Sequence, residues 1–264
     1  MQDSRNRQPI LDARLRRRGI YLLPNLFTTG ALFAGFFAIV QAMNGRFELS
    51  AVAILIAMVL DGLDGRVARM THTQSAFGAE YDSLSDMVSF GVAPALVVYV
   101  WALKGMGKLG WIAAFVYCAC AALRLARFNT QLEVADKRFF QGLPSPAAAA
   151  LIAGMVWVLN EYGFQGKEVS WLAWSVTIFA GLNMVSNLRY YSGKDINLRK
   201  SVPFVAVLLI VFAFILISYS PPEVLFGMFV LYALSAYVMW VWNFRKTRSE
   251  KIQQKSLEQD DEQI

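Results

Sequence analysis

Asp61-Gly62-Leu63-Asp64-Gly65-Arg66-Val67-Ala68-Arg69, eight further residues, and then Gly78-Ala79-Glu80-Tyr81-Asp82-Ser83-Leu84-Ser85-Asp86 join the end of one strongly apolar run to the start of the next. A carboxylate beside hydrocarbon is expensive, and four together persist only where positive charge neutralises them. Asp61 and Asp64 are three residues apart, and Asp82 and Asp86 four apart. Each pair therefore shares one face of a helix. Two such helices side by side aim four carboxylates at one small volume. Oxygen-only ligands of this kind suit hard divalent cations such as Mg²⁺ or Mn²⁺.

Working outward, hydrophobic residues make up 56% of the chain, and charged residues are scarce between Gly19 and Asn243. A bilayer-spanning helix needs roughly 17–25 predominantly apolar residues. Eight runs meet or approach that length: about 24–43, 48–69, 84–103, 109–127, 145–161, 170–188, 202–219 and 223–243. The expected fold is all-α, a polytopic integral membrane helical bundle of about eight transmembrane helices. A large soluble all-α domain would need polar helix faces that these runs lack. The chain divides into a basic, amphipathic juxtamembrane segment at 1–23, a transmembrane domain at 24–243 and a polar tail at 244–264.

Lysine and arginine favour cytoplasmic loops. One set of loops holds Arg5, Arg7 and Arg14 to Arg18, then Arg66 and Arg69, then Arg124, Arg127, Lys137 and Arg138, then Arg189, Lys194, Arg199 and Lys200, and finally the basic residues after Asn243. The opposite set has only Arg46, Lys104, Lys108 and Lys167. Both termini and the aspartates are thus expected on the cytoplasmic side. Basic residues split among membrane-flanking loops argue against nucleic-acid binding and for contact with anionic lipid. The N-terminus lacks the cleavage pattern of a secretory signal. Its Leu11–Leu23 stretch reads as a surface segment that Pro24 ends. Cys118 and Cys120 point apart on a helix and read as packing residues. With His72 the single histidine, histidine-based metal sites and Ser-His-Asp triads are excluded.

Gly62 and Gly65 remove side chains beside Asp61 and Asp64, and Gly78 lies one turn before Asp82. Glycine costs about 1 kcal/mol in a helix interior relative to alanine, so these positions suggest close approach by a ligand or a backbone. Arg66 and Arg69 add fixed positive charge. A phosphate-bearing substrate would use both metals and an arginine. The competing reading is glycine-mediated helix packing with aspartate–arginine pairs. It gives no reason for four carboxylates and three glycines in this spacing.

These residues fill every fixed position of D-G-x-D-G-x2-A-R-x8-G-x3-D-x3-D, and in this the chain resembles the CDP-alcohol phosphatidyltransferase family. The resemblance implies a six-helix core, here extended by two C-terminal helices, and transfer of a phosphatidyl group from a CDP-activated lipid to an alcohol with release of CMP. It implies two divalent cations held by Asp61, Asp64, Asp82 and Asp86, with Asp86 also the general base. It implies CDP-lipid contacts at Leu26, Phe27, Thr28, Thr29, Gly62, Gly65, Arg66, Arg69, Ser75 and Gly78. For Asn25, Thr28 and Thr29, helix capping after Pro24 is the alternative.

The signature fixes the donor, not the acceptor. Pro24 to Gly30, Phe77 to Pro94, Arg124 to Asn129 and Phe140 to Pro146 resemble the multi-span bacterial class of the family whose acceptor is L-serine and whose donor is CDP-diacylglycerol. That resemblance implies a homodimer in the bacterial inner membrane. Arg124, Arg127, Asn129, Gln141 and Arg189, with Tyr190 and Lys194, are candidates for contacts to a serine zwitterion. For each basic residue, a positive-inside anchor is the alternative. Phe139, Phe140, Pro144 and Pro146 read as shaping entry to the fifth span. Rivals are the same chemistry with glycerol 3-phosphate, inositol phosphate or choline, a prenyltransferase, and a cation transporter. A prenyltransferase would need a second aspartate-rich motif, and a transporter an internal repeat; the chain shows neither. The small-residue run Pro146 to Gly154 permits close helix packing within or between chains.

Overall fold

The computed structural model describes residues 8–71, 73, 75–131, 139–192 and 204–261. Eight helices carry them: α1 (Gln8–Met43), α2 (Phe47–Thr71), α3 (Ala76–Met106), α4 (Lys108–Gln131), α5 (Ser145–Glu161), α6 (Ser170–Val185), α7 (Phe204–Tyr219) and α8 (Pro221–Asp261). Each expected apolar run falls on one of them. Leu23–Met43, Ala76–Met106, Lys108–Thr130 and Pro221–Trp242 are long and apolar enough to cross a bilayer. Helices α5 and α6 are apolar but shorter, and α2 carries the aspartates. The protein is an all-α membrane bundle.

Packing rests on small residues and on hydroxyls that reach across helices. Ala31, Ala34, Gly35, Ala38 and Ala42 line the buried face of α1. Ser50 of α2 donates to the Ala38 carbonyl at 2.7 Å, Ser85 of α3 to Thr28 at 3.1 Å, and Ser89 to Ala31 at 3.0 Å. In an apolar medium such bonds and close van der Waals contact hold helices together, because lipid supplies no hydrophobic drive between them. A Cβ on Gly35 would lie 2.7 Å from the Ser89 Cα, so α1 and α3 touch backbone to backbone.

Helix α5 is the hub. Every residue from Ala147 to Val156 is buried, and a Cβ on Gly154 would meet the Phe226 Cα of α8 at 3.2 Å. The Pro146–Gly154 run is thus used inside the chain. By contrast α7 packs chiefly on α8 and turns Val211, Phe212, Phe214 and Ile215 outward, as a lipid-facing helix does.

Three features depart from the sequence reading. First, α1 runs unbroken through a buried Pro24, so Pro24 does not end the leader segment. A proline is tolerated in a membrane helix when surrounding packing and local adjustment satisfy the freed backbone group. Second, α3 begins at Ala76 rather than near 84, because Ser75 caps it by accepting from the Gly78 N–H at 3.0 Å. It then contains two π-helical stretches, Met87–Val92 and Tyr99–Leu103. Third, Phe139–Gln141 (β1) and Arg189–Tyr191 (β2) pair antiparallel, with Phe140 opposite Tyr190. Gly142 follows at φ +78°, and its Cα faces the Met184 carbonyl so closely that a side chain would run into that oxygen. His72, Lys137, Arg138, Lys194, Arg199 and Lys200 lie outside the described residues.

Candidate active site

The carboxylates come together where the last turns of α2 meet the first turns of α3 and the middle of α1 around Thr28. One oxygen from each of Asp61, Asp64 and Asp82 lies within 4.8 Å of the others. Asp64 is buried and the other two are half-buried. Asp64 sits against Asp82, and Asp61 against Asp86. Asp86 therefore extends the cluster on the Asp61 side, at the last α-helical turn before the first π stretch of α3. A π turn re-aims the residues beside it and recurs at functional sites.

The middle of α1, just after Pro24, supports this group. Thr28 is buried, and its hydroxyl donates to Asp64 Oδ2 at 2.7 Å. Thr29 and the Tyr81 hydroxyl are 2.9 Å apart. The Asn25 side chain lies near Gly78, where a Cβ would be 3.5 Å from its Oδ1. The polar residues after Pro24 thus reach the carboxylate cluster and α3, beyond any capping role. Gly65 faces the Arg69 guanidinium, while Gly62 opens onto free space. Leu26, Arg66 and Arg69 are exposed, Phe27 is half-buried, and Ser75 serves as the α3 cap.

On the opposite side, Arg124 of α4 is buried with Asp86 and Asp61 among its electrostatic neighbours. It donates to Ser145 Oγ at 2.6 Å and lies over the Phe128 ring at 5.9 Å. The other acceptor candidates are dispersed. Arg127 donates to the carbonyls of Val185 and Ser186 at 3.1 and 3.4 Å and so neutralises the C-terminal end of α6. Asn129 donates to Ser83 Oγ at 2.9 Å, Gln141 donates to Asn187 at 2.9 Å, and Arg189 is exposed opposite Gln141 in the strand pair. Tyr190 is wholly buried, donating to Ala233 O at 3.1 Å and Asn183 Oδ1 at 3.3 Å. Burial, then the neighbouring Tyr237 and Tyr232, push its phenol above the usual range, so it is a neutral structural donor.

The residues present fit a divalent cation. Four carboxylates face one buried guanidinium, an excess of negative charge that a low-dielectric site does not tolerate alone. Asp82 Oδ1 is buried with no hydrogen-bond partner among the described residues, and a buried unpaired carboxylate oxygen of this kind is what a cation would satisfy.

Sequence reading missed Tyr81, Ser145 and Tyr232, the last an electrostatic neighbour of Arg124. Tyr81 directly precedes Asp82 and Ser145 lies within Gly142–Pro146, so both had a nearby signal. Tyr232 had none.

The fold and site are those of a helical membrane bundle with carboxylates gathered at a helix junction and open space beside Gly62. The CDP-alcohol phosphatidyltransferase family profile matches residues 21–180. A CDP-diacylglycerol–serine O-phosphatidyltransferase of Helicobacter pylori is 36% identical over 225 residues, 84% of this chain and 92% of the relative. Proteins of that name from Mycobacterium bovis and Methanocaldococcus jannaschii are each 42% identical, over 155 and 137 residues. Those matches cover 56% and 52% of this chain, and 54% and 61% of the relatives. The chain belongs to the CDP-alcohol phosphatidyltransferase family.

Proposed function

We infer that the protein transfers the phosphatidyl group of CDP-diacylglycerol to L-serine, giving phosphatidylserine and CMP. The observation that carries the reaction is the convergence of Asp61, Asp64 and Asp82 within 4.8 Å, with Asp86 against Asp61. Likeness to relatives named CDP-diacylglycerol–serine O-phosphatidyltransferase supports the acceptor. Asp61, Asp64, Asp82 and Asp86 would hold two divalent cations, Mg²⁺ or Mn²⁺, which when bound stabilise charge on the diphosphate and on the departing CMP.

The chain's own residues do the rest. Thr28 fixes the Asp64 carboxylate, and the clearing at Gly62 admits the diphosphate. Arg66 and Arg69 offer it charge from the exposed rim, and Leu26, Phe27, Thr29, Ser75 and Gly78 border the same space. Asp86 takes the proton from the serine hydroxyl. The serine oxygen forms its bond to the β-phosphorus as the bond from that phosphorus to the CMP oxygen breaks. The bacterial inner membrane, a cytoplasmic-facing site with both termini on that side, and a homodimer belong to the same reading.

The test is CMP release by the purified full chain with CDP-diacylglycerol, Mn²⁺ or Mg²⁺, and a panel of alcohols. Release with L-serine is expected. Release with glycerol 3-phosphate but not serine would overturn the acceptor, and no release with any alcohol would overturn the reaction.

A further inference from the structure

We propose that Arg124, oriented by Ser145 and flanked by Tyr232 of the last helix, is the receptor for the carboxylate of the amino-acid acceptor. This rests on the serine reading above.

Arg124 differs from the other cationic residues around the site. Arg66, Arg69 and Arg189 are exposed, and Arg127 is committed to the end of α6. Arg124 is only 9% exposed, and a charge buried to that degree is rare unless paired. Its guanidinium carries five N–H donors in a planar fork, and among the described residues it spends them on the Ser145 hydroxyl alone. The Phe128 ring below and the short bond to Ser145 fix the plane of the fork. The remaining donors belong to a group whose electrostatic neighbours include Asp86 and Asp61. A planar fork with free donors matches a carboxylate in bidentate geometry. An acceptor held there by its carboxylate has its hydroxyl, two carbons further on, on the Asp86 side.

The setting is also specific to this architecture. Tyr232 lies on α8, beyond the family-matched residues 21–180. Its hydroxyl donates to Tyr191 O at 3.2 Å, and its ring lies 5.6 Å from that of Tyr190. Strand β2 and α8 thus close the Arg124 side of the site with residues that the shared core does not supply. The diphosphate side, built from α1 to α3, needs none of them.

The experiment compares L-serine with L-serinamide, which replaces the carboxylate by a neutral amide, in CMP-release assays of the full-length protein. In the unmodified protein the KM for serinamide should exceed that for serine by about 100-fold, the value of a charge-assisted fork. Arg124→Gln should raise the serine KM by about 100-fold and leave the serinamide KM within about threefold. Arg124→Lys should recover part of the loss, and Ser145→Ala should raise the serine KM by roughly 3–10-fold. Equal KM values for the two acceptors in the unmodified protein would overturn the proposal. So would an Arg124→Gln enzyme whose kcat falls equally for both while the serine KM stays put, since that would make Arg124 a counter-charge for Asp86 alone. If Arg124→Gln fails to bind CDP-diacylglycerol or to fold, the unmodified protein and Ser145→Ala decide. CMP release that does not increase when serine is added would refute the serine reading itself, whereas serine-dependent release without carboxylate preference refutes only Arg124.

Discussion

Replacing Thr28 by valine tests whether the carboxylates hold a cation, because it removes one hydrogen and one lone-pair centre without opening a hole. Thr28 is 3% exposed, so no water takes the place of its hydroxyl. That hydroxyl has a single proton and two acceptors in reach, Asp64 Oδ2 at 2.7 Å and Pro24 O at 3.2 Å. The shorter, charged acceptor takes it. Loss of a hydrogen bond to a charged group costs about 1.5–3 kcal/mol. Since each 1.4 kcal/mol is tenfold, cation binding should weaken about 10–100-fold. The same range, ~10–100-fold, is found when partners of metal-ligating side chains are removed elsewhere. The assay is the initial rate of CMP release against Mn²⁺ concentration, with direct Mn²⁺ binding measured separately. The Mn²⁺ midpoint should rise by that factor while the rate at saturating metal recovers to within about threefold. An unchanged midpoint would refute the reasoning, whether or not the saturated rate falls.

Three other outcomes are expected. Asp86→Asn should abolish turnover while CDP-diacylglycerol binding, followed by ligand-dependent thermal stabilisation, largely persists; near-normal turnover would remove Asp86 from the base role. Gly35→Ala places a methyl 2.7 Å from the Ser89 Cα and 2.6 Å from its Oγ, and a backbone atom cannot rotate away. The resulting overpacking should cost about 1–3 kcal/mol, seen as a lower unfolding midpoint in detergent, and an unchanged midpoint would show that α1 and α3 separate freely. Gly62→Ala meets nothing within 4 Å and gains helix propensity worth up to about 1 kcal/mol. It should therefore fold at least as well yet bind CDP-diacylglycerol more weakly, and unaltered lipid KM would empty that space of its assigned role.

The helices were legible because a membrane span announces itself in length and hydropathy, and all eight runs fall on helices. Their ends were less legible. Pro24 reads as a stop, yet α1 passes through it, because packing rather than local propensity decides in a bundle. The first turns of α3 are too polar to read as a span, and what starts them is one Ser75 bond. The π stretches and the strand pair had no local signature at all. Three-residue strands fall below any usable periodicity, and π turns arise from contacts such as the Tyr117 hydroxyl on the Phe90 carbonyl at 3.0 Å.

The two halves of the site differ in the same way, and the reason is sequence distance. The proposed diphosphate half comes from Asp61 to Asp86 plus the middle of α1, so helix spacing brings each pair of carboxylates to one face and a short connection brings the pairs together. The proposed acceptor half joins Arg124, Ser145 and Tyr232 from three helices, across separations no periodicity spans. Sequence offered Arg124, Arg127, Asn129, Gln141 and Arg189 as equals. The structure separates them by how many donors each has left: Arg127 is spent on α6, Gln141 pairs with Asn187, and Arg124 alone is buried with its fork nearly free. On the proposed reading, this second half is what chooses the acceptor. Selectivity should therefore follow the α4–α5–α8 contacts rather than the aspartate motif.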